Sequence, residues 1–333
     1  MRQVVMRRVG GPEVLEIVEA AQPNPEPGEV VVGAEAIGVG WPDVLIRTGR
    51  YRWMPPLPTS PGSDLTGRVV ALGPGVDSQL MGAPVLVTAR ELPVRGGCYT
   101  ERIAVPAEAV YRLPENANLD AAAALPNYQV AWNLVHEAPR GSPVRSIFIN
   151  GAAGGVGSAA AQLAKAAGMQ VFGSVSSAQK AAFARRMGVD HVINYRKRGI
   201  ADSVLALTAG RGVDLALDHV AGQGFNELLL LLADWGTLVS YNASDGLPDG
   251  NLLGELRRHG ARCLAVRIFE MHLYDRDTAG RRRTMQSVID AWAGGSIAPV
   301  VSARLPFSHA AQAHAMLERG EALGKIVLKP ALG

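Results

Sequence analysis

The sequence predicts an α/β chain in two parts, a mostly β part followed by a doubly wound parallel sheet. Three observations carry this. The first third is rich in Pro, Gly and Val, and its short apolar runs are split by turns such as "LGPGV" (72–76). From about Asn118 onward, short apolar runs alternate with stretches of helical period. The chain has 333 residues, where one domain usually takes ~100–200.

In order, "EVVVGAEAIGVG" and "GRVVALGPGVDSQLMGAPVLVTA" read as strands joined by turns. "NLDAAAALPNYQVAWNLVHEA" has helical spacing, with Pro126 as a break. Strand-like "SIFIN" then precedes helix-like "GSAAAQLAKAAG", "QVFGSV" precedes "SAQKAAFARRMG", and "HVINY" precedes "ADSVLALTAG". "VDLALDHV" precedes an expected helix over "GFNELLLLLADW" (224–235), and "GTLVSYN" follows. The longest apolar run, Leu228 to Ala233, reads as a buried segment of that helix. "CLAVRIF" adds a strand, a helix covers about Arg281 to Ala293, and the tail gives one more helix and strand. Short apolar strands alternating with amphipathic helices imply βαβ units and a parallel sheet.

Composition narrows the function. No apolar run approaches the ~20 residues that cross a bilayer, and "MRQVVMRRVGGPEV" lacks the apolar core of a signal peptide. Cys98 and Cys263 lie far apart without metal-ligand spacing, which fits a reducing cytoplasm. The formal net charge is only +3. Arg281, Arg282 and Arg283 read as a solvated helix face, since no aromatic residues interleave with them for base stacking. The expected partner is a small molecule, with no nucleic acid and no membrane.

The chemistry begins at "NGAAGGVG", where a strand ending at Asn150 enters a helix near Gly155. Glycines let a ligand approach the backbone. The helix start presents free N–H groups and the positive end of its dipole. Strand, turn and helix together suit a pyrophosphate. The expected contacts are Ala153, Gly154, Gly155, Val156 and Gly157. The G-x-G-x-x-G positions fall on Ala152, Gly154 and Gly157, so the first glycine is alanine. Placement at the first of several βα turns strengthens the reading.

The second strand selects the dinucleotide. An NAD site usually places an acid there for the ribose 2′-OH. "QVFGSVSSAQK" has none, and offers Ser174, Ser176, Ser177 and then Lys180. Hydroxyls and a cation suit a 2′-phosphate. The expected coenzyme is NADP(H).

These residues resemble a known family. "AAGGVGSAAAQLAK", "SVSSAQK" and "DHVINY" look like the zinc-independent quinone oxidoreductases of the medium-chain dehydrogenase/reductase superfamily. So do "GGPEVLEI", "AIGVGWPDVLIRTGRY", "LPTSPGSDLTGRVVALGPGV", "GCYTERIAVPA", "DAAAALP" and "GKIVLKP". The resemblance implies a GroES-like domain at 1–122, completed by 297–333, and a Rossmann NADP-binding domain at 123–296, with the active site in the cleft between them. It implies that Ser176, Lys180 and Tyr195 surround the 2′-phosphate and that Asn242 passes near the nicotinamide. It implies that the loop after Asp218 acts through its backbone, at Val220, with His219 structural. A homodimer follows by the same resemblance, paired through a strand near "ARCLAVRI".

The resemblance also bears on metal and mechanism. Zinc-using relatives place a His-Glu pair where this chain has Ser63 and Asp64, and no four-cysteine block is present. No metal is expected. Hydride transfer to a quinone or other α,β-unsaturated carbonyl is favoured, because charge then delocalises to oxygen and only a proton must be supplied. Tyr51 matches a pocket tyrosine of relatives and is the expected donor, since a phenol keeps its proton at neutral pH. Asp43 is the second catalytic candidate, though beside Pro42 it also suits a helix cap. Gly40, Leu45 and Val130 replace an Asn, a Tyr and a Thr of many relatives; Asn127 and Tyr128 stand by to compensate. Two rival readings remain: an enoyl-thioester reductase using Arg47, Arg50 and Arg52 as a basic approach patch, or an NADPH-binding sensor with little turnover.

Overall fold

The computed structural model describes residues 1–248 and 250–332. The chain divides into two compact units, Met1–Pro126 with Pro299–Gly333, and Asn127–Ala298.

The first unit is mostly β. It contains β1 (Arg2–Val5), β2 (Glu16–Glu19), β3 (Glu29–Val39), α1 (Trp41–Arg47), β4 (Asp64–Leu72), β5 (Pro84–Thr88), β6 (Arg102–Pro106), β7 (Tyr111–Arg112) and α2 (Leu119–Ala122). After the second unit the chain returns with β14 (Val301–Pro306), α9 (Ala310–Glu318) and β15 (Lys325–Lys329). The main sheet runs β14-β15-β3-β4-β5-β7, with β6 also paired to β3. Its core shows how the sequence was patterned. Val30 and Val32 are fully buried on β3, and so is Ile37 further along. Val31 and Ala36 are buried as well, and the face turned to the main core, with Val30, Val32, Ile37 and Val39, changes parity where the β3–β4 register shifts between Ala34 and Ala36.

The second unit begins within α3 (Leu125–Trp132); Pro126, expected as a break, sits in the first turn of that helix, where proline is tolerated, and the helical pattern is interrupted just before it, between α2 and α3. Then come β8 (Ser146–Ile149), α4 (Gly155–Ala166), β9 (Gln170–Val175), α5 (Ala178–Arg186), β10 (His191–Asn194), α6 (Ile200–Leu207), β11 (Val213–Asp218), β12 (Leu232–Ser240), α7 (Leu252–Arg258), β13 (Ala265–Ile268) and α8 (Thr278–Ala293). Every pairing in this sheet is parallel, and the order is β10-β9-β8-β11-β12-β13. Strand order reverses between β8 and β11, which makes their C-terminal ends the switch point where such sheets bind ligands. This is the α/β architecture that the sequence predicted.

One element is corrected. No α-helix covers 224–235. A single 3-10 turn spans Asn226–Leu229, and β12 already begins at Leu232. Leu228 and Leu229 are buried in that turn, Leu230 is exposed, and Leu232 enters β12, paired to Val213. A short apolar run has no periodicity that separates the two possibilities. Trp235, at φ +63, kinks the strand before it continues.

Candidate functional site

In the second unit the glycine turn has the form the motif requires. Gly154 caps α4, and the first intrahelical bond runs from Ser158 N–H to the Gly154 carbonyl at 2.9 Å. The N–H groups of Gly155, Val156 and Gly157 precede that bond and have no intrahelical acceptor. A Cβ on Gly157 would lie 2.5 Å from the Gly151 carbonyl oxygen, so only glycine lets helix and turn approach this closely. Ala152, at the position of the first motif glycine, is fully buried. Its methyl is accommodated by Gly173 on β9, where an added Cβ would meet it at 2.6 Å. The missing glycine is thus matched by one on the neighbouring strand.

The adenosine side is set by the end of β9. Ser176 and Lys180 are half-buried and Tyr195 is 47% exposed. The Tyr195 N–H donates to the Val175 carbonyl at 3.1 Å, which brings Tyr195 beside Ser176. Ser177 caps α5, accepting from Lys180 N–H at 3.2 Å. Ser174 is corrected. It is fully buried, its hydroxyl donates to Asn150 Oδ1 at 2.6 Å, and it accepts from Gly151 N–H at 2.9 Å. It holds the turn and is not free to meet a 2′-phosphate.

The remaining expected contacts are spread over other loops of this unit. Asn127 is half-buried on α3, while Tyr128 beside it is buried, and that burial raises its phenol pKa. Val220 N–H donates to Asp218 Oδ1 at 3.2 Å. Asn242 turns its Oδ1 back to Ala243 N–H at 2.9 Å. His219 lies against the turn, where a Cβ on Gly151 would stand 2.4 Å from its Nε2, and burial lowers its pKa. Sequence reasoning passed over Asn150, Gly173 and Asp218. Only the strand-end places of Asn150 and Asp218 hinted at a role; Gly173 lies inside β9.

The first unit carries a buried polar cluster. Asp43 is fully buried, and its carboxylate accepts from Gly40 N–H at 2.8 Å, Ser63 Oγ at 2.6 Å and Tyr99 OH at 3.3 Å. It caps α1 from the third helical position. This geometry is that of a positioning group, and it corrects the expectation that Asp43 acts on substrate. Burial pushes its pKa up to about 6, partly offset by the Ser63 hydrogen bond. Tyr99 OH also lies 3.0 Å from His314 Nε2, whose pKa burial and the Arg47 charge push down to about 3. Tyr51 packs half-buried beside Met6, Val14 and Ile46, with its ring 5.8 Å from that of Trp53. Arg47 is 1% exposed and paired with Glu318, so it drops out of the basic patch expected for a thioester carrier.

The Ser63–Asp64 position does not fit zinc. Ser63 is committed to Asp43, and the Lys325 ammonium stands 3.2 Å from Asp64 Oδ2, where it would repel a metal ion. Among the described residues no three His, Cys, Asp or Glu side chains gather as ligands.

Comparison with known proteins agrees with this geometry. Residues 26–115 match the Alcohol dehydrogenase GroES-like domain and residues 155–260 match Zinc-binding dehydrogenase. The chain is 32% identical to a quinone oxidoreductase of Pseudomonas aeruginosa, covering 99% of both chains. It is 29% identical to a rat synaptic vesicle membrane protein VAT-1 homolog, over 99% of this chain and 84% of that one. The Escherichia coli quinone oxidoreductase, solved in complex with NADPH, superposes with a TM-score of 0.87 at 30% identity, over 99% of this chain and 100% of that one. The chain is an oxidoreductase and belongs to the zinc-independent quinone oxidoreductase family of the medium-chain dehydrogenase/reductase superfamily.

Proposed function

We propose that the protein is an NADPH-dependent reductase that transfers hydride to quinones or other α,β-unsaturated carbonyl compounds. The observation that carries this is the end of β9. It presents Ser176, Lys180 and Tyr195 and no carboxylate, beside a turn whose helix offers three free N–H groups. A 2′-phosphate finds donors and positive charge there, and the pyrophosphate finds the helix start.

When bound, the coenzyme supplies the hydride. The chain's own tasks are orientation and the proton. Gly155, Val156 and Gly157 hold the pyrophosphate, with Ala153 and Gly154 shaping the turn. Asn127, Val220 and Asn242 steady the nicotinamide side through short polar and backbone contacts. Tyr51 donates the proton, and Asp43 keeps α1 in place behind it. The burial of Arg47 weighs against the thioester reading.

Replacing Lys180 by glutamate is expected to weaken NADPH binding by about 30-fold or more, while NADH binding changes less than about threefold, because one attractive charge contact becomes a repulsive one. Fluorescence titration of both coenzymes reads this. Equal losses for the two would remove Lys180 from the 2′-phosphate. The activity itself is tested by steady-state NADPH oxidation against quinones, enones and enoyl thioesters. Turnover with the first two classes is expected. Silence across the panel alongside tight NADPH binding would favour a sensor.

The same reading gives a cytoplasmic homodimer. Both cysteines are free thiols, as a reducing compartment requires, and no helix among the described residues is long and apolar enough to cross a membrane. β13 lies at the sheet edge with Ile268 69% exposed, ready to pair with its copy. Ile268→Lys is expected to yield monomers by sedimentation, and an unchanged mass would move the interface elsewhere.

A further inference from the structure

At the switch point of the second unit, six polar groups form one directed chain. Val220 N–H and Ala221 N–H donate to Asp218, at 3.2 and 2.8 Å. Asn150 Nδ2 donates to Asp218 Oδ1 at 2.7 Å. Asn150 Oδ1 accepts from Ser174 Oγ at 2.6 Å, and Ser174 Oγ accepts from Gly151 N–H at 2.9 Å. Asp218 and Ser174 are both fully buried. The chain joins the ends of β8, β9 and β11.

What it holds is backbone in unusual conformations. Gly151 has φ +74 and Gly222 φ +60. Ala221 has φ +57, a left-handed setting that a residue with a Cβ adopts only when its surroundings impose it. Its N–H is the one that Asp218 Oδ2 takes. The loop after β11 is bound in turn to the segment after β12, through Ser244 N–H to His219 O at 3.1 Å and Asp245 N–H to Val220 O at 2.9 Å.

Polarity in the chain is fixed. Both Asp218 oxygens already accept backbone N–H groups, Oδ1 from Val220 and Oδ2 from Ala221, and position 150 donates to Oδ1 beside them. Position 150 must also accept from Ser174, whose oxygen already takes Gly151 N–H. Asparagine has one group of each kind at the right spacing. Aspartate has the same shape but would set two carboxylates face to face. A neutral histidine again offers one donor and one acceptor.

We propose that Asn150 is a positioning residue for the coenzyme, locking the glycine turn after β8 to the loop after β11 across the switch point. The proposal rests on the coenzyme site described above. It differs from the 2′-phosphate edge in what it controls. Asn150 acts on the turn that meets the pyrophosphate, which NADPH and NADH share. Lys180 acts on the group that distinguishes them.

The test is fluorescence titration of NADPH and NADH with wild type, Asn150→Ala, Asn150→Asp and Asn150→His, each checked for a native melting transition. Asn150→Asp is expected to raise both dissociation constants by about 30-fold, Asn150→Ala by about tenfold, and Asn150→His by less than threefold. In steady state the loss in Asn150→Ala falls on KM for NADPH, with kcat within about twofold. Ser174→Ala weakens binding in wild type but adds nothing in the Asn150→Ala background, because the link is already broken. A merely structural asparagine would lower the melting temperature without this pattern. Wild-type dissociation constants in Asn150→Ala and Asn150→Asp would overturn the proposal and leave the proposed function standing. A wild type that binds neither coenzyme would overturn both.

Discussion

Lys325→Met is expected to lower the free energy of unfolding by about 3–5 kcal/mol, the usual loss when one partner of a buried ion pair is removed. The Lys325 side chain is 2% exposed and that of Asp64 7%, with 3.2 Å between the charged atoms. Room for the lysine is made by Gly38, where a Cβ would fall 2.7 Å from Lys325 Cε. Methionine keeps most of the stem but leaves the Asp64 carboxylate buried without its counter-charge. The double variant Lys325→Met with Asp64→Leu should recover to within about 2 kcal/mol of wild type, since a well-packed apolar pair replaces a buried ionic one at little net cost. Urea denaturation measures both. A loss below about 1 kcal/mol in the single variant would mean that the pair is hydrated.

Asp43→Asn and His314→Gln are expected to tilt the pH dependence of stability in opposite directions. Folded Asp43 keeps its proton up to about pH 6, against an ordinary value of 3.8. Between these values the folded state binds the extra proton, so this group's contribution to stability grows as pH falls through 6 and is lost as pH rises. His314 behaves oppositely. It stays neutral in the fold down to about 3, against an ordinary 6.5, so the unfolded state binds the extra proton and stability falls as pH drops below 6.5. From about pH 7 to pH 4 each effect amounts to roughly 3 kcal/mol, at ~1.4 kcal/mol per pH unit. In wild type they largely offset. Tyr99 joins the two groups, and Asp64, Lys325 and Arg47 supply the surrounding charges. Acidification should therefore destabilise Asp43→Asn relative to wild type and stabilise His314→Gln relative to it. Thermal midpoints across this range check the signs. Parallel profiles for all three proteins would show that neither group is as dry as its burial implies.

Much of this architecture was legible because strands buried on both faces are written as apolar runs. "SIFIN", "VFGSV" and "LALD" announce themselves, and the glycine knot marks the turn between the first of them and its helix. The segment 224–235 was not legible, since the same leucines satisfy a buried helix or a buried strand, and the deciding pairing with β11 is a tertiary fact. Ser174 misled because a hydroxyl in a promising motif says nothing about which way it faces. Asn150 and Asp218 lie 68 positions apart, and each alone looks like an ordinary polar residue at a strand end. Lys325, in "GKIVLKP", reads as a surface lysine until Gly38 and Asp64 close around it.

Co-crystallisation with NADPH tests the central claim most directly. The account predicts the pyrophosphate on the N–H groups of Gly155 to Gly157 and the 2′-phosphate against Ser176, Lys180 and Tyr195. A coenzyme seated away from the end of β8, or a 2′-phosphate turned into solvent with Lys180 uninvolved, would contradict it.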